Sequence, residues 1–337
     1  MFGTTCPVLT TFSAGTPLIS RIRTRLSRGS FQQHSPYEEP FSIVQQYLSL
    51  DTSIVYLIMD DSSGTGTREL STTTHLSMTI DACGKEIETL LKTDFHFDTV
   101  RVVPFSAGAH WVSIPLKMAG RARGADRVLL AKVVTDEGVR THREIVTRKN
   151  ARFMRHAILD LSYEESDTAY DILQREGDFL EKSREANIFV PAPRGVYQLT
   201  AGAALMMEFV EGVSLQRVTL KERDVGKVFE IVKQLRVHRL VHGDIRRDNF
   251  LVTAGRDVCL VDYLYLAGAV ERAMSYDLMS TVCHLSLSAE ASVVVNAACT
   301  FFSAAELQDA LPFLNFITRR LPHQKRDQIL EMVSALP

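Results

Sequence analysis

The sequence predicts an α+β chain of two lobes, a small sheet with an intervening helix followed by a mostly helical half. Three observations predict it. DTVRVVPFS, HWVSIPLKM and RVLLAKVV are short runs rich in Val, Ile and Leu, set apart by Gly-containing turns, as successive strands are. THREIVTRKNARFMRHAIL and AYDILQREGDFLEKSREA carry apolar residues at helical spacing. From Glu211 onward the pattern is helical again, broken only by the polar stretch LVHGDIRRDNFLV.

In chain order, the first 36 residues carry Arg21, Arg23, Arg25 and Arg28 and no acid. That is the composition of an organellar leader, but no amphipathic helix stands out, and the segment is read as a mobile basic tail. Residues 37–95 hold an apolar run, SIVYLIMD, expected as a buried strand, and then a Ser/Thr/Gly stretch. YLIMDDSSGTGTREL is similar in outline to a phosphate-binding loop. Asp61 stands in place of its first glycine, however, and Thr67 and Arg68 in place of its lysine and hydroxyl, so no nucleotide binding is expected there. Residues 96–210 form the expected small lobe, in which Tyr197–Leu199 and ALMMEFV are two further strands. Residues 211–337 form the helical lobe, and the cleft between such lobes is where a small ligand binds.

Bulk composition excludes several classes. The 337 residues are 45% hydrophobic and 23% charged, an ordinary globular balance. A formal net charge of -2 gives no global field for nucleic acid, and no apolar run approaches the roughly 18–20 residues of a membrane span. Cys6, Cys83, Cys259, Cys283 and Cys299 are scattered without CxxC spacing, which suits a reducing compartment, cytoplasmic or nuclear, and neither a disulfide framework nor a zinc site.

The chemistry lies in LVHGDIRRDNFLV. Asp244 is followed five residues later by Asn249, and Asp262 in VCLVDY comes eighteen residues after Asp244. Transfer of a phosphoryl group needs a carboxylate to orient an acceptor hydroxyl and oxygen ligands for magnesium. The apolar runs FLV and VCLV form a hairpin that returns the second aspartate to the first loop.

HGDIRRDN resembles the catalytic loop of the protein-kinase-like superfamily, with VDY in the place of its DFG. The resemblance covers about residues 98–286 and implies a two-lobed protein-kinase-like fold, with a small antiparallel sheet lobe and a helical lobe. It implies ATP and Mg2+ as cofactors, Asp244 as catalytic base, and Asn249 and Asp262 as magnesium ligands. Lys132 in RVLLAKVV matches the lysine of VAIK and would contact the α- and β-phosphates. Its helix partner is Glu176, in a stretch similar to the helix-then-VPxP pattern of RIO kinases and of the small kinase associated with tRNA threonylcarbamoyl modification; Glu144 in THREIV is the rival. Met207 sits near the gatekeeper position, and backbone groups from Glu208 to Val210 would meet adenine. Asp277 in MSYDLMS resembles the aspartate that anchors the catalytic loop from below.

The departures define an atypical kinase. PFSAGAHW keeps only Gly108 of the usual glycine-rich loop. Gly243 replaces the arginine of HRD, the form seen in aminoglycoside-type phosphotransferases, and no APE motif follows, so a short activation segment without phosphorylation control is expected. Arg246 stands where protein kinases place a phosphate-contacting lysine, and Tyr263 and Leu264 replace Phe-Gly. The expected function is ATP- and magnesium-dependent transfer of a phosphoryl group to a hydroxyl of protein Ser/Thr. The alternatives are a pseudokinase binding module and a small-molecule phosphotransferase. A degenerate loop ahead of a kinase-like domain also resembles Crinkler-type effectors of some eukaryotic microbes, which implies delivery into another cell. Arg319, Arg320, Lys325 and Arg326 are expected on a solvated face.

Overall fold

Strand pairing in the small lobe follows the apolar runs of the sequence. β1 (Phe97–Pro104), β2 (Ser113–Ala122), β3 (Ala125–Thr135), β5 (Pro193–Leu199) and β6 (Gly202–Glu208) form one antiparallel sheet in the order β1-β2-β3-β6-β5. In this computed structural model the described residues are 82–104, 112–317 and 321–337. The basic leader, the apolar run and degenerate loop ahead of residue 82, Gly108, Arg319 and Arg320 lie outside them.

A helix, α1, occupies residues 82–93 and buries Cys83, Ile87 and Leu91. Glu86 accepts the N–H of Thr200 at 2.9 Å, which ties α1 to the β5–β6 turn. The next helix, α2 (Asp136–Arg155), starts five residues before THREIV because Thr135 caps it, its hydroxyl accepting from the Gly138 N–H at 3.2 Å. Its buried side chains Val139, His142, Val146 and Phe153 recur at spacings of three, four and seven residues, a stripe along one face. α3 (Ala169–Glu185) is capped in the same way by Thr168. It lays Gly177 against the sheet, where a β-carbon would stand 3.5 Å from Leu205.

The helical lobe is built on α4 (Glu222–Val237) and α5 (Val270–Ser286). Residues on every face of α5 are buried, from Ala273 through Ser286, which makes it the centre of the lobe. α6 (Ala291–Cys299), α7 (Ala304–Ala310), α8 (Leu314–Ile317) and α9 (His323–Ser334) complete it. Lys325 is not a solvated-face residue. Its amine donates to the carbonyls of Ser286 and Ala289 at 2.9 and 2.8 Å and so closes the C-terminal end of α5.

Two small ladders carry the polar loop. β7 (Val213–Ser214), β8 (Phe250–Val252) and β9 (Val258–Leu260) form one, with Phe250 opposite Leu260. β4 (Leu161–Tyr163) pairs with β10 (Leu266–Gly268) in the other, Tyr163 opposite Leu266. This second ladder fastens the segment after Asp262 to the chain between α2 and α3.

Candidate active site

Register in the sheet decides which side chains face the cleft. Lys132 on β3 stands opposite Leu205 on β6, and Met207 lies two residues further along β6, on the same face. That face meets α3 through Gly177, and Glu176 is the residue just before it on α3. The Lys132 amine lies 2.8 Å from the Glu176 carboxylate and 2.8 Å from Asp262 Oδ1. Burial disfavours the charge on Lys132, but Asp262 and Glu176 outweigh it and hold the amine above its ordinary range. Burial pushes the Glu176 carboxyl up, against the pull of Lys132. Glu144, by contrast, is exposed on the outer face of α2 beside Arg143, Thr147, Arg148 and Glu165.

The loop at Asp244 is held from three sides. Asp277, buried on α5, accepts the His242 N–H at 2.7 Å and the Gly243 N–H at 3.0 Å. The His242 ring is buried and meets the Val261 carbonyl through Nε2 at 3.1 Å, while its Nδ1 lies 3.3 Å from the Asp244 N–H. Burial lowers its pKa to about 4, so at neutral pH it is an uncharged brace. Asn249 closes the loop on itself, its Nδ2 donating to the carbonyls of Asp244 at 2.8 Å and Asp262 at 3.3 Å. Those bonds commit the amide nitrogen, so only Oδ1 is a candidate metal ligand.

The Asp262 backbone lies at φ 60°, in the left-handed region, a conformation retained at functional sites because the surroundings impose it. Its carboxylate is partly exposed, and with Asn249 Oδ1 it makes an all-oxygen pair. Such a pair fits Mg2+, a hard cation that takes one or two protein ligands and keeps several waters. Tyr263, in the place of the DFG phenylalanine, stacks on Phe179 of α3 with ring centroids 4.3 Å apart. Phe179 in turn meets His242 edge-on at 5.6 Å, so α3, the loop at Asp244 and the segment at Asp262 share one aromatic column. α5 begins at Val270, eight residues after Asp262, so the activation segment is as short as the missing APE motif implies.

The family model of the RIO domain matches residues 132–272, the stretch that carries this geometry. That is the domain of an atypical protein-kinase family, a class of phosphotransferases, and the match bears out the kinase-like reading of the sequence. Among solved structures, the chain is similar to the crystal structure of Rad53 1-466 in complex with AMP-PNP. The identity is 14%, the TM-score 0.39, and the alignment covers 78% of this chain and 63% of that one. No curated protein matches the chain.

The RIO-matching segment holds Lys132, Glu176, Asp244, Asn249 and Asp262, and it leaves out Gly108 and Asp277. Within it, Met207 is buried at the end of β6 and Glu208 is exposed. The Glu208 N–H donates to the Ala192 carbonyl at 2.9 Å, so that donor is already committed within the chain. Arg246 reaches back, with Nε 3.1 Å from Asp244 Oδ2 and Nη1 3.5 Å from Asp248.

The motifs do not point to Lys149. Its amine lies 2.7 Å from Asp244 Oδ1 and 4.5 Å from the centre of the Tyr163 ring. Burial opposes the charge of Asp244, yet Lys149 and Arg246 beside it hold the carboxyl well below the usual carboxylate range. A signal existed. Lys149 falls three residues after Val146 and four before Phe153, on the buried stripe of α2, where a lysine is out of place unless it meets an acid.

Proposed function

We propose that this chain is an ATP- and magnesium-dependent phosphotransferase of atypical kinase type that passes the terminal phosphoryl group to a hydroxyl of protein Ser/Thr. The observation that carries it is the meeting of Lys132, Glu176 and Asp262 at 2.8 Å, from a strand, a helix and a loop far apart in sequence. In this reading Glu176 orients Lys132 towards the α- and β-phosphates, and the neighbourhood of Met207, Glu208 and Val210 receives adenine. Asn249 and Asp262 would hold Mg2+, which when bound neutralises phosphate charge. Asp244 accepts the acceptor hydroxyl, held in place by Asp277 below and Asn249 beside it, and Arg246 offsets charge near it. Gly108 would belong to the loop over the phosphates. Such catalysis is positioning plus electrostatics, which suits a site whose groups are already fixed by one another.

The lobes we assign are residues 96–210 and 211–337. We place the protein inside cells, in cytoplasm or nucleus. Cys83, Cys259, Cys283 and Cys299 are all free thiols, and among the described residues no helix is long and apolar enough to cross a membrane.

A second reading, a small-molecule hydroxyl as acceptor, is favoured by the eight-residue step from Asp262 to α5, which leaves little chain to form a platform for an extended peptide. Magnesium-dependent thermal stabilisation by ATP, followed by transfer of labelled γ-phosphate with wild type and Asp244→Ala, tests the proposal. Stabilisation of both proteins with transfer by the wild type alone is expected. The absence of any ATP-dependent stabilisation overturns it, and binding without transfer would make the chain a pseudokinase. Transfer to a sugar or aminoglycoside panel and not to protein would select the second reading.

A further inference from the structure

Asp244 carries one negative charge and meets two cations, Lys149 on Oδ1 at 2.7 Å and Arg246 on Oδ2 at 3.1 Å. Arg246 divides its guanidinium between Asp244 and Asp248, whereas the charge of Lys149 is matched at Asp244, where acceptor and phosphate must meet. We propose that Lys149 is a catalytic residue, which moves from Asp244 onto the transferring phosphoryl group when nucleotide and acceptor are bound. The proposal rests on the phosphotransferase reading above.

The reaction itself changes the partners of Asp244. The acceptor oxygen bonds to the terminal phosphorus, and the bond from that phosphorus to its bridging oxygen breaks. The electron pair leaves with the nucleoside diphosphate, and the acceptor proton passes to Asp244. Release of one cation leaves a carboxylate oxygen with both lone pairs open to the hydroxyl. Arg246 is the less able to leave, because its guanidinium also spans to Asp248 at 3.5 Å. Lys149 is a compact charge on a flexible stem, and a short swing takes its amine from the carboxylate to the adjacent phosphoryl oxygens.

The mounting of Lys149 argues for a fixed part of the site and against a removable plug. A plug needs a segment that can withdraw. α2 instead follows β3 without a break, so Lys132 and Lys149 ride on one strand–helix unit. Asn150, next to Lys149, clamps the backbone of Tyr163 on both sides, accepting its N–H at 2.7 Å and donating to its carbonyl at 2.8 Å. The Tyr163 hydroxyl then donates to the Gly243 carbonyl at 2.7 Å, next to Asp244. Helix, tyrosine and catalytic loop are thus in register, and only the lysine side chain is left to move.

The full chain treated with an acyl-phosphate derivative of ATP decides the matter without turnover. A lysine nitrogen beside the terminal phosphate bonds to the acyl carbon, ATP leaves, and the labelled peptides are read by mass spectrometry. Acylation of both Lys132 and Lys149, each suppressed by excess ATP and magnesium, is expected. Acylation of Lys132 alone overturns the role of Lys149 and keeps the nucleotide site; acylation of neither overturns both. In a second arm, Lys149→Met should lower kcat by about 10²-fold, the scale of losing one transition-state donor, with ATP affinity unchanged and partial recovery in Lys149→Arg. A kcat that is unchanged or raised in Lys149→Met overturns the proposal.

Discussion

A β-carbon on Gly243 would lie 2.1 Å from the carbonyl oxygen of Leu264. The residue that replaces the HRD arginine is therefore a glycine for a local reason. The chain after Asp262 passes directly over the loop at Asp244, and Gly243 sits at φ 76° to let it do so. Gly243→Ala should cost about 1–2 kcal/mol for the left-handed backbone alone and more for the displaced carbonyl, read as a lower urea midpoint. Gly124 is the control, with φ 78° and nothing within 4 Å of the place a β-carbon would take. Gly124→Ala should lose only the backbone part, and equal losses at the two sites would refute the close approach.

Glu176 and Glu144 are separated by the same kind of test. Glu176 is buried against Lys132, whereas Glu144 points to solvent. Glu176→Ala should reduce kcat/KM by about 10²-fold, because Lys132 would then answer to Asp262 alone and lose its aim at the phosphates. Glu144→Ala should leave the rate unchanged. Steady-state transfer of labelled phosphate measures both, and a large loss at Glu144 would reverse the assignment.

The periodic parts of the fold were legible in the sequence. RVLLAKVV and ALMMEFV pair in the sheet because their apolar residues fill both faces, and the hairpin FLV…VCLV returns Asp262 to Asn249 as its spacing implies. The β4–β10 ladder was not legible. LSY and LAG are three residues each, too short for a period, and they pair across more than a hundred positions. The choice between the two glutamates was hidden for a related reason. Both stand on amphipathic helices, and only the packing of Gly177 on Leu205 turns one helix towards Lys132. Lys149 escaped because no motif contains it, although its place on the α2 stripe marked it.

Tyr263 and Phe179 form the joint between the segment at Asp262 and α3, with ring planes 14° apart. Tyr263→Phe keeps the stacked ring and should retain both activity and thermal midpoint. Tyr263→Ala removes it from a half-buried place and should cost about 2–3 kcal/mol, with a loss of activity beyond the loss of folded protein, since Asp262 is the neighbouring residue. Calorimetry and transfer rates on the same samples check this. Tyr263→Ala with wild-type stability would mean that the stack holds nothing.

Two buried neighbours under the catalytic loop titrate in opposite senses. Burial lowers His242 from 6.5 to about 4, so between those values the unfolded chain binds the extra proton and stability rises with pH. Burial raises Asp277 from 3.8 to about 7, against the backbone N–H groups of His242 and Gly243, so there the folded chain binds the extra proton and stability falls as pH rises. In the wild type the two slopes oppose each other from about pH 4 to 6.5. Asp277→Asn removes the second, so the variant should be less stable overall yet gain stability more steeply with rising pH across that window. His242→Leu should do the reverse, losing stability as pH rises. Urea midpoints taken from about pH 4 to 7 measure all three proteins, and parallel profiles would show that neither group carries its shift in the folded chain.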